Sequence, residues 1–323
     1  MRSPSSISVG VVLALVASLA AGQAPAALSV MGFPGSSNWP IFTAQERGEF
    51  ARHGIEVHWS AAPDSQTQLA ELLRGGIDIA MTALDNIVAR DEADLFAFLG
   101  ATRGARASLM VTPEVRSFVD LKNRALAVDA RASGYALVLM EMLRRAGLAA
   151  TDYELISVGG SRERWQALQS GKVAGALLNA PQDAAAHAAG FMRLADAAQI
   201  IGPYQASVGA ARRSWAAANA DSLMRFIRAY VATVDWLYEP ANRAAAIELL
   251  QRRLAISAES AARSYDELLH PTRGSLSPRA AIDAEGVRTV LRLRKELLQP
   301  TQPLGDISRY YDGTYYERAL RHD

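Results

Sequence analysis

The sequence predicts an α/β fold of two similar lobes followed by a helical C-terminal region, and three observations predict it. Residues 28–86 run strand, loop, helix, strand, helix, strand, loop, a βαβαβ unit that requires a parallel sheet because same-direction strands need a crossover. The plan returns after residue 118, and the two copies share a signature 96 residues apart: Leu72-Leu73-Arg74-Gly75-Gly76-Ile77-Asp78-Ile79-Ala80 against Leu168-Gln169-Ser170-Gly171-Lys172-Val173-Ala174-Gly175-Ala176. In each, a leucine-bearing helix meets glycine and turns at once into a buried strand, which asks for left-handed backbone. From residue 219 onward the apolar residues recur at helical spacing.

The chain has 323 residues, half of them hydrophobic, enough for two modest cores. Arg2, the apolar run over 9–21 and the small residues Ala24, Pro25 and Ala26 form a secretory signal pattern over residues 1–26. The run is short for a bilayer span, and no later segment approaches the roughly 20 apolar residues needed. Without cysteine there is neither a disulfide nor a lipid-modified N-terminal Cys. The formal charge is +1; removal of Arg2 with the signal makes it neutral, which gives nucleic-acid binding no electrostatic support.

Taken in order, residues 28–33 are the first strand and 34–40 a turn-rich loop. Residues 41–53 are a helix with apolar Ile41, Phe42 and Phe50, which Pro40 opens harmlessly and Gly54 stops. Residues 55–59 are a strand. The next helix buries Leu69, Leu72 and Leu73 and ends at Gly75 and Gly76, and residues 77–81 are the third strand. Thr82 or Asp85 caps a helix running towards Ala93. Residues 95–99 and 107–111 are strands, and Thr112 and Pro113 mark the crossing into the second lobe.

There, a short turn at 118–123 precedes a strand at 125–128 and a polar loop at 129–134. That loop opens a long helix with apolar Leu137, Met140 and Leu143, ended by Gly147. A strand (153–158), a helix (161–170), a strand (173–178) and the loop of Asn179, Ala180 and Pro181 follow. Residues 204–209 return across the hinge. Helices at 219–238, 242–254, 257–269 and 283–298 complete the chain, with the tyrosine-rich 310–316 tail packed onto a lobe.

In open α/β sheets the loops at the carboxyl ends of the strands line the ligand crevice. These loops hold Ser36, Ser37, Asn38, Trp39, Thr82, Asp85 and Asn86 in the first lobe. Trp39 is expected to stack on a planar ligand. Asp85, if unpaired, favours an amine or hydroxyl on the ligand and disfavours a simple inorganic anion. In the second lobe, Ser133 and Gly134 open a helix whose free amides and dipole suit an anion. Arg131 either clamps a carboxylate or sulfonate or pairs with Asp129.

The segments FTAQERGEFARHGIEV, LLRGGIDIA, DLKNRALAVDARASGYALVLMEMLRRAGL and ALQSGKVAGALLNAP resemble the substrate-binding components of ABC importers of the nitrate, sulfonate and taurine type, a group that includes thiamine-precursor binding proteins. The resemblance covers about residues 28–238. It departs at Asn123, where the family usually has glycine, and at Ala174, where an aspartate usually follows the glycine turn.

The resemblance implies a type II periplasmic binding protein, with lobe one at 27–110 plus 206–323, lobe two at 111–205, and a two-strand hinge near 111–113 and 202–207. It implies a monomer in the periplasm, without cofactor or metal, that holds a small organic ligand between the lobes and docks on an ABC permease in the inner membrane. Carried over by position, the grip falls on Ser36, Asn38, Trp39, Thr82, Asp85, Arg131, Ser133, Gly134, Tyr135, Asn179 and Gln182.

No G-x-S-x-G, H-E-x-x-H, Walker or dinucleotide motif occurs, and the five histidines are dispersed. An enzyme of the pyrimidine-synthase type shares the implied fold, but that chemistry uses a cysteine-rich motif and a pyridoxal phosphate lysine. Here cysteine is absent, and Lys122 and Lys172 sit at turns. A sensor presenting its ligand to a membrane receptor is a third reading.

Overall fold

The computed structural model describes residues 25–33, 35–90, 93–270, 274–298 and 306–321. The expected signal segment lies outside them up to residue 24. No described helix is long and apolar enough to cross a membrane.

The strands are β1 (Ala26–Gly32), β2 (Ile55–Ala61), β3 (Ile79–Ala83), β4 (Leu95–Arg103), β5 (Ser108–Val111), β6 (Arg124–Val128), β7 (Tyr153–Ser157), β8 (Gly175–Leu178), β9 (Met192–Asp196) and β10 (Gln205–Arg212). They form two sheets, ordered β2-β1-β3-β10-β4 and β7-β6-β8-β5-β9. The repeated glycine turns fall at equivalent places: Gly75 (φ +83°) leads into β3 and Gly171 (φ +72°) into β8, each strand lying third in its sheet. Asn123 has φ +59°, left-handed backbone that asparagine tolerates better than most residues, so it fills a glycine position.

The sheets are mixed rather than purely parallel. β10 runs antiparallel to β3 and β4, and β5 antiparallel to β8 and β9. Each sheet receives its reversed strand from chain that has just left the other sheet. The first crossing therefore spans residues 104–107, earlier than the Thr112–Pro113 turn, because β5 is already an inner strand of the second sheet. The return crossing carries the helix Ala197–Ile201.

The core of the first lobe lies under helix Ala220–Tyr238, whose Leu223, Phe226, Ile227, Tyr230, Val234 and Leu237 are fully buried, as their spacing predicts. Phe226 stacks on Phe50 at 5.6 Å between ring centroids and meets Phe98 edge-on at 6.1 Å. The tail adds to the edge of the same sheet, where Ala97 donates to the Tyr310 carbonyl and accepts from the Asp312 amide.

Helix Ala284–Leu298 joins the lobes. It packs on β10, on helix Leu84–Val88 of the first lobe and on helix Gly134–Arg145 of the second. Ion pairs fasten it to the second lobe: Arg292 to Glu141 at 3.5 Å and Glu296 to Arg144 at 3.7 Å. Burial disfavours the charge on Glu141, but hydrogen bonds from Arg144 and Arg145, at 2.8 and 2.7 Å, outweigh it and hold the carboxyl below its usual range.

At the other end of this helix the Gln205 side chain accepts from the Asp283 amide at 2.8 Å, and a methyl on Gly286 would lie 2.5 Å from the Gln205 nitrogen. Gly286→Ala is therefore expected to lower stability by about 1–3 kcal/mol, measured as a lower urea midpoint.

Candidate functional site

In the first lobe the candidate residues divide into core and rim. Trp39 has no exposed surface and packs edge-on against Tyr265, with ring centroids 5.8 Å apart. Its helix (Trp39–Glu46) is buried over its first six residues, which turns the indole into the lobe and away from the crevice; the expected stacking role is corrected to a core role. Ser36, Ser37 and Asn38 form one helical turn, and the buried Asn38 amide donates to the Phe33 carbonyl at 2.6 Å.

Capping by Thr82 or Asp85 is also corrected. Ala83 is the N-cap of the short helix Leu84–Val88, with no side chain capping it. Thr82 instead accepts from the Asn86 amide at 3.0 Å, and Asp85 is drawn into an ion pair. Gln68, fully buried, donates to the Met31 and Met81 carbonyls in β1 and β3, while its own carbonyl oxygen has no protein partner.

In the second lobe Ser133 is the N-cap of helix Gly134–Arg145, accepting from the Ala136 amide at 3.1 Å and donating to Asp129. The expected Arg131–Asp129 pair does not form: Asp129 lies 3.9 Å from Arg164. Arg131 is exposed and lines a side hollow of about 270 Å³ with Met140, Tyr153 and Glu154. Arg164, with 3% of its side chain exposed, donates to the Leu177 and Gly159 carbonyls and lies 5.1 Å from the Tyr135 ring centre. Burial pulls its pKa down, against the pull of Asp129. The Asn179 amide donates to the Tyr135 hydroxyl at 2.6 Å, and its carbonyl oxygen is buried without a partner. Gln182 opens the helix Gln182–Ala188 beside it.

The two sets of loops meet at Asp85. Its carboxylate accepts from Arg294 of helix Ala284–Leu298 at 3.0 Å, and the residue lies against Gly134 at the head of the second lobe's helix. Arg294 also donates to the Ala132 carbonyl at 3.3 Å. The approach is close: a methyl on Gly134 would lie 3.1 Å from both the Asp85 Cβ and the Tyr204 hydroxyl. Burial pushes the Asp85 carboxyl above its usual range, countered by Arg294. Burial likewise raises the Tyr204 phenol, and Asp85 adds to it.

The chain's own side chains thus fill the hinge end of the crevice. Arg294, Arg164, Tyr204 and Gln68 escaped the sequence reading. Arg164 shares its local signal, a cation at the start of a helix that follows Gly159 and Gly160, with Arg162.

Residues 36–244 match the family described as NMT1/THI5 like. The chain belongs to this family. No curated protein matches it in sequence, but solved structures match its fold. The periplasmic aliphatic sulphonate binding protein SsuA from Escherichia coli superposes with a TM-score of 0.70 at 22% identity, over 88% of this chain and 91% of that one. The periplasmic nitrate-binding protein NrtA from Synechocystis PCC 6803 gives 0.72 at 11%, over 92% and 88%. The ligand-binding component of an ABC-type import system from Staphylococcus aureus, with zinc bound, gives 0.75 at 12%, over 92% and 99%. This member of the NMT1/THI5-like family therefore has the two-lobed periplasmic-binding-protein fold.

As a core residue of this family member, Trp39 is expected to cost about 3–5 kcal/mol when replaced by alanine, seen as a large fall in the denaturation midpoint. A crevice residue would leave the midpoint unchanged and weaken only binding.

Proposed function

We propose that the protein is the solute-binding component of an ABC importer. In this reading residues 1–26 direct it to the periplasm, where it takes up a small organic molecule between its lobes and delivers it to a permease in the inner membrane. The lobes are residues 26–103 with 205–321, and 108–196, and the strands that cross between them act as the hinge. The observation that carries the reading is the meeting of strand-end loops from both lobes at Asp85 and Gly134. There the N-terminus of helix Gly134–Arg145 lies against Asp85, Arg294 pairs with Asp85 at 3.0 Å, and the buried Arg164 lies 3.9 Å from Asp129. Nitrate and sulphonate binding by proteins of the same fold supports it.

The ligand contacts in this reading are Ser36, Ser37, Asn38, Thr82, Asp85 and Asn86 from one lobe and Ser133, Gly134, Tyr135, Asn179 and Gln182 from the other. Arg164 and Arg294 join them. The pyrimidine-synthase reading gains no specific support: Lys122 pairs with Asp152 at 3.9 Å, and Lys172 is exposed on the turn before β8.

A thermal-shift screen of the purified protein against small metabolites tests this. A ligand at about 100 times its dissociation constant adds about 2.7 kcal/mol of stability. Asn179→Ala is expected to shrink that shift, with the unliganded midpoint little changed. A full shift in the variant would remove Asn179 from the site, and turnover of the bound compound would replace the receptor reading with an enzyme.

A further inference from the structure

A ring of four alternating charges spans the lobe boundary away from Asp85. Helix Ala284–Leu298 carries Arg292 and Glu296, one turn apart and paired with each other at 3.1 Å. Helix Gly134–Arg145 carries Glu141 and Arg144, paired at 2.8 Å. Between the helices, Arg292 lies 3.5 Å from Glu141 and Glu296 lies 3.7 Å from Arg144. The ring therefore has two short pairs inside the helices and two longer ones across the boundary. Arg145 adds a second bond to Glu141, at 2.7 Å, and donates to the Ile200 carbonyl in the return crossing.

The two longer pairs can part without stranding a charge. Glu141 then keeps its hydrogen bonds from Arg144 and Arg145, and Arg292 and Glu296 keep each other. The Asp85–Arg294 pair differs: only 4% and 14% of its side chains are exposed, so parting it would leave a buried charge uncompensated. Apolar packing permits the motion too. Val287, Val290 and Leu291 share one buried cluster with Leu137 and Val138 of the second lobe's helix. Such contact is non-directional, so it holds the helices together without fixing how one lies along the other. Glu141 and Arg144 stand about 10–15 Å along the helix axis from Gly134 at its head. At that distance a small rotation about the Asp85 junction draws them away from Arg292 and Glu296.

Building on the receptor reading, which supplies the lobe motion, we propose that the charge ring is a reversible electrostatic latch. It holds the unliganded lobes in their present arrangement and parts when the second lobe swings about the Asp85–Arg294 junction. Arg292, Glu296, Glu141 and Arg144 then tune the affinity for any solute without touching it, because binding draws on the population of the latched state.

The chain has no cysteine, so spin labels attached through Ser60→Cys and Ser157→Cys report a single distance between the lobes. Both positions are exposed, near the carboxyl ends of the outermost strands β2 and β7. Double electron–electron resonance on protein refolded from urea, to free it of any solute, is expected to give one narrow distance at low salt. Raising the salt from about 0.01 M to about 1 M shortens the screening length from about 30 Å to about 3 Å. The longer-distance population should then grow roughly two- to tenfold, the scale of losing two partly exposed ion pairs. Arg292→Gln combined with Glu296→Gln should produce that population already at low salt and remove its salt dependence. Arg263→Gln, which breaks a pair within helix Ala258–Leu269 of the first lobe, should change nothing. If the combined variant fails to fold by circular dichroism, the salt response of the unsubstituted ring decides. A distance unmoved by salt and by the combined substitution overturns the latch, as does an equal shift in Arg263→Gln. The receptor reading falls separately, on a solute screen in which neither stability nor this distance responds.

Discussion

Asp85, in the short helix after β3, lies against Gly134 of the second lobe, and its carboxylate pairs with Arg294 of a helix that begins 199 residues later in the chain. A carboxylate removed from water needs a cation and hydrogen bonds around it. Those partners are available only when the two lobes and helix Ala284–Leu298 stand in one arrangement. The packing is tight at Gly134, where a methyl would lie 3.1 Å from the Asp85 Cβ, and admits only glycine without a shift at 286, where a methyl would lie 2.5 Å from the Gln205 nitrogen of the hinge strand.

The chain path prepares that meeting. Each sheet takes its reversed strand from chain arriving out of the other lobe, so the crossings lie side by side and the carboxyl ends of both sets of parallel strands come together. Helices that follow those strands present their first amides to the shared space. The same geometry that closes two cores thus brings the N-terminus of helix Gly134–Arg145 against Asp85 and its partner Arg294.

The lobes were legible because they are local. Glycine after a leucine-bearing helix, with a β-branched residue two positions on, predicted Gly75 and Gly171 as left-handed turns, and the apolar spacing of residues 223–237 predicted the buried face of the longest described helix. The strand-end loops named from the sequence include Asp85 and Gly134, which meet in the structure. The charge pattern there was not legible. Arg294 sits among Arg288, Arg292 and Lys295 on one helix, and nothing in that run marks which cation turns inward, since its partner is 209 residues away. Trp39 misled for a related reason: proline and polar neighbours suggest a rim, while the helix phase that buries it is set by packing against helices from the C-terminal region. Asp85 looked like a cap, but the extended Ala83 preceding it already serves as N-cap and leaves the carboxylate free to turn across the lobe boundary.

The most direct measurement is a double-mutant cycle on the junction, with Asp85→Asn, Arg294→Gln and the combined variant compared by urea denaturation. A coupling energy of about 1–3 kcal/mol is expected for two buried groups that compensate each other. Additive losses, with no coupling, would contradict the account, because Asp85 and Arg294 would then contribute independently and nothing at the lobe boundary would depend on their meeting.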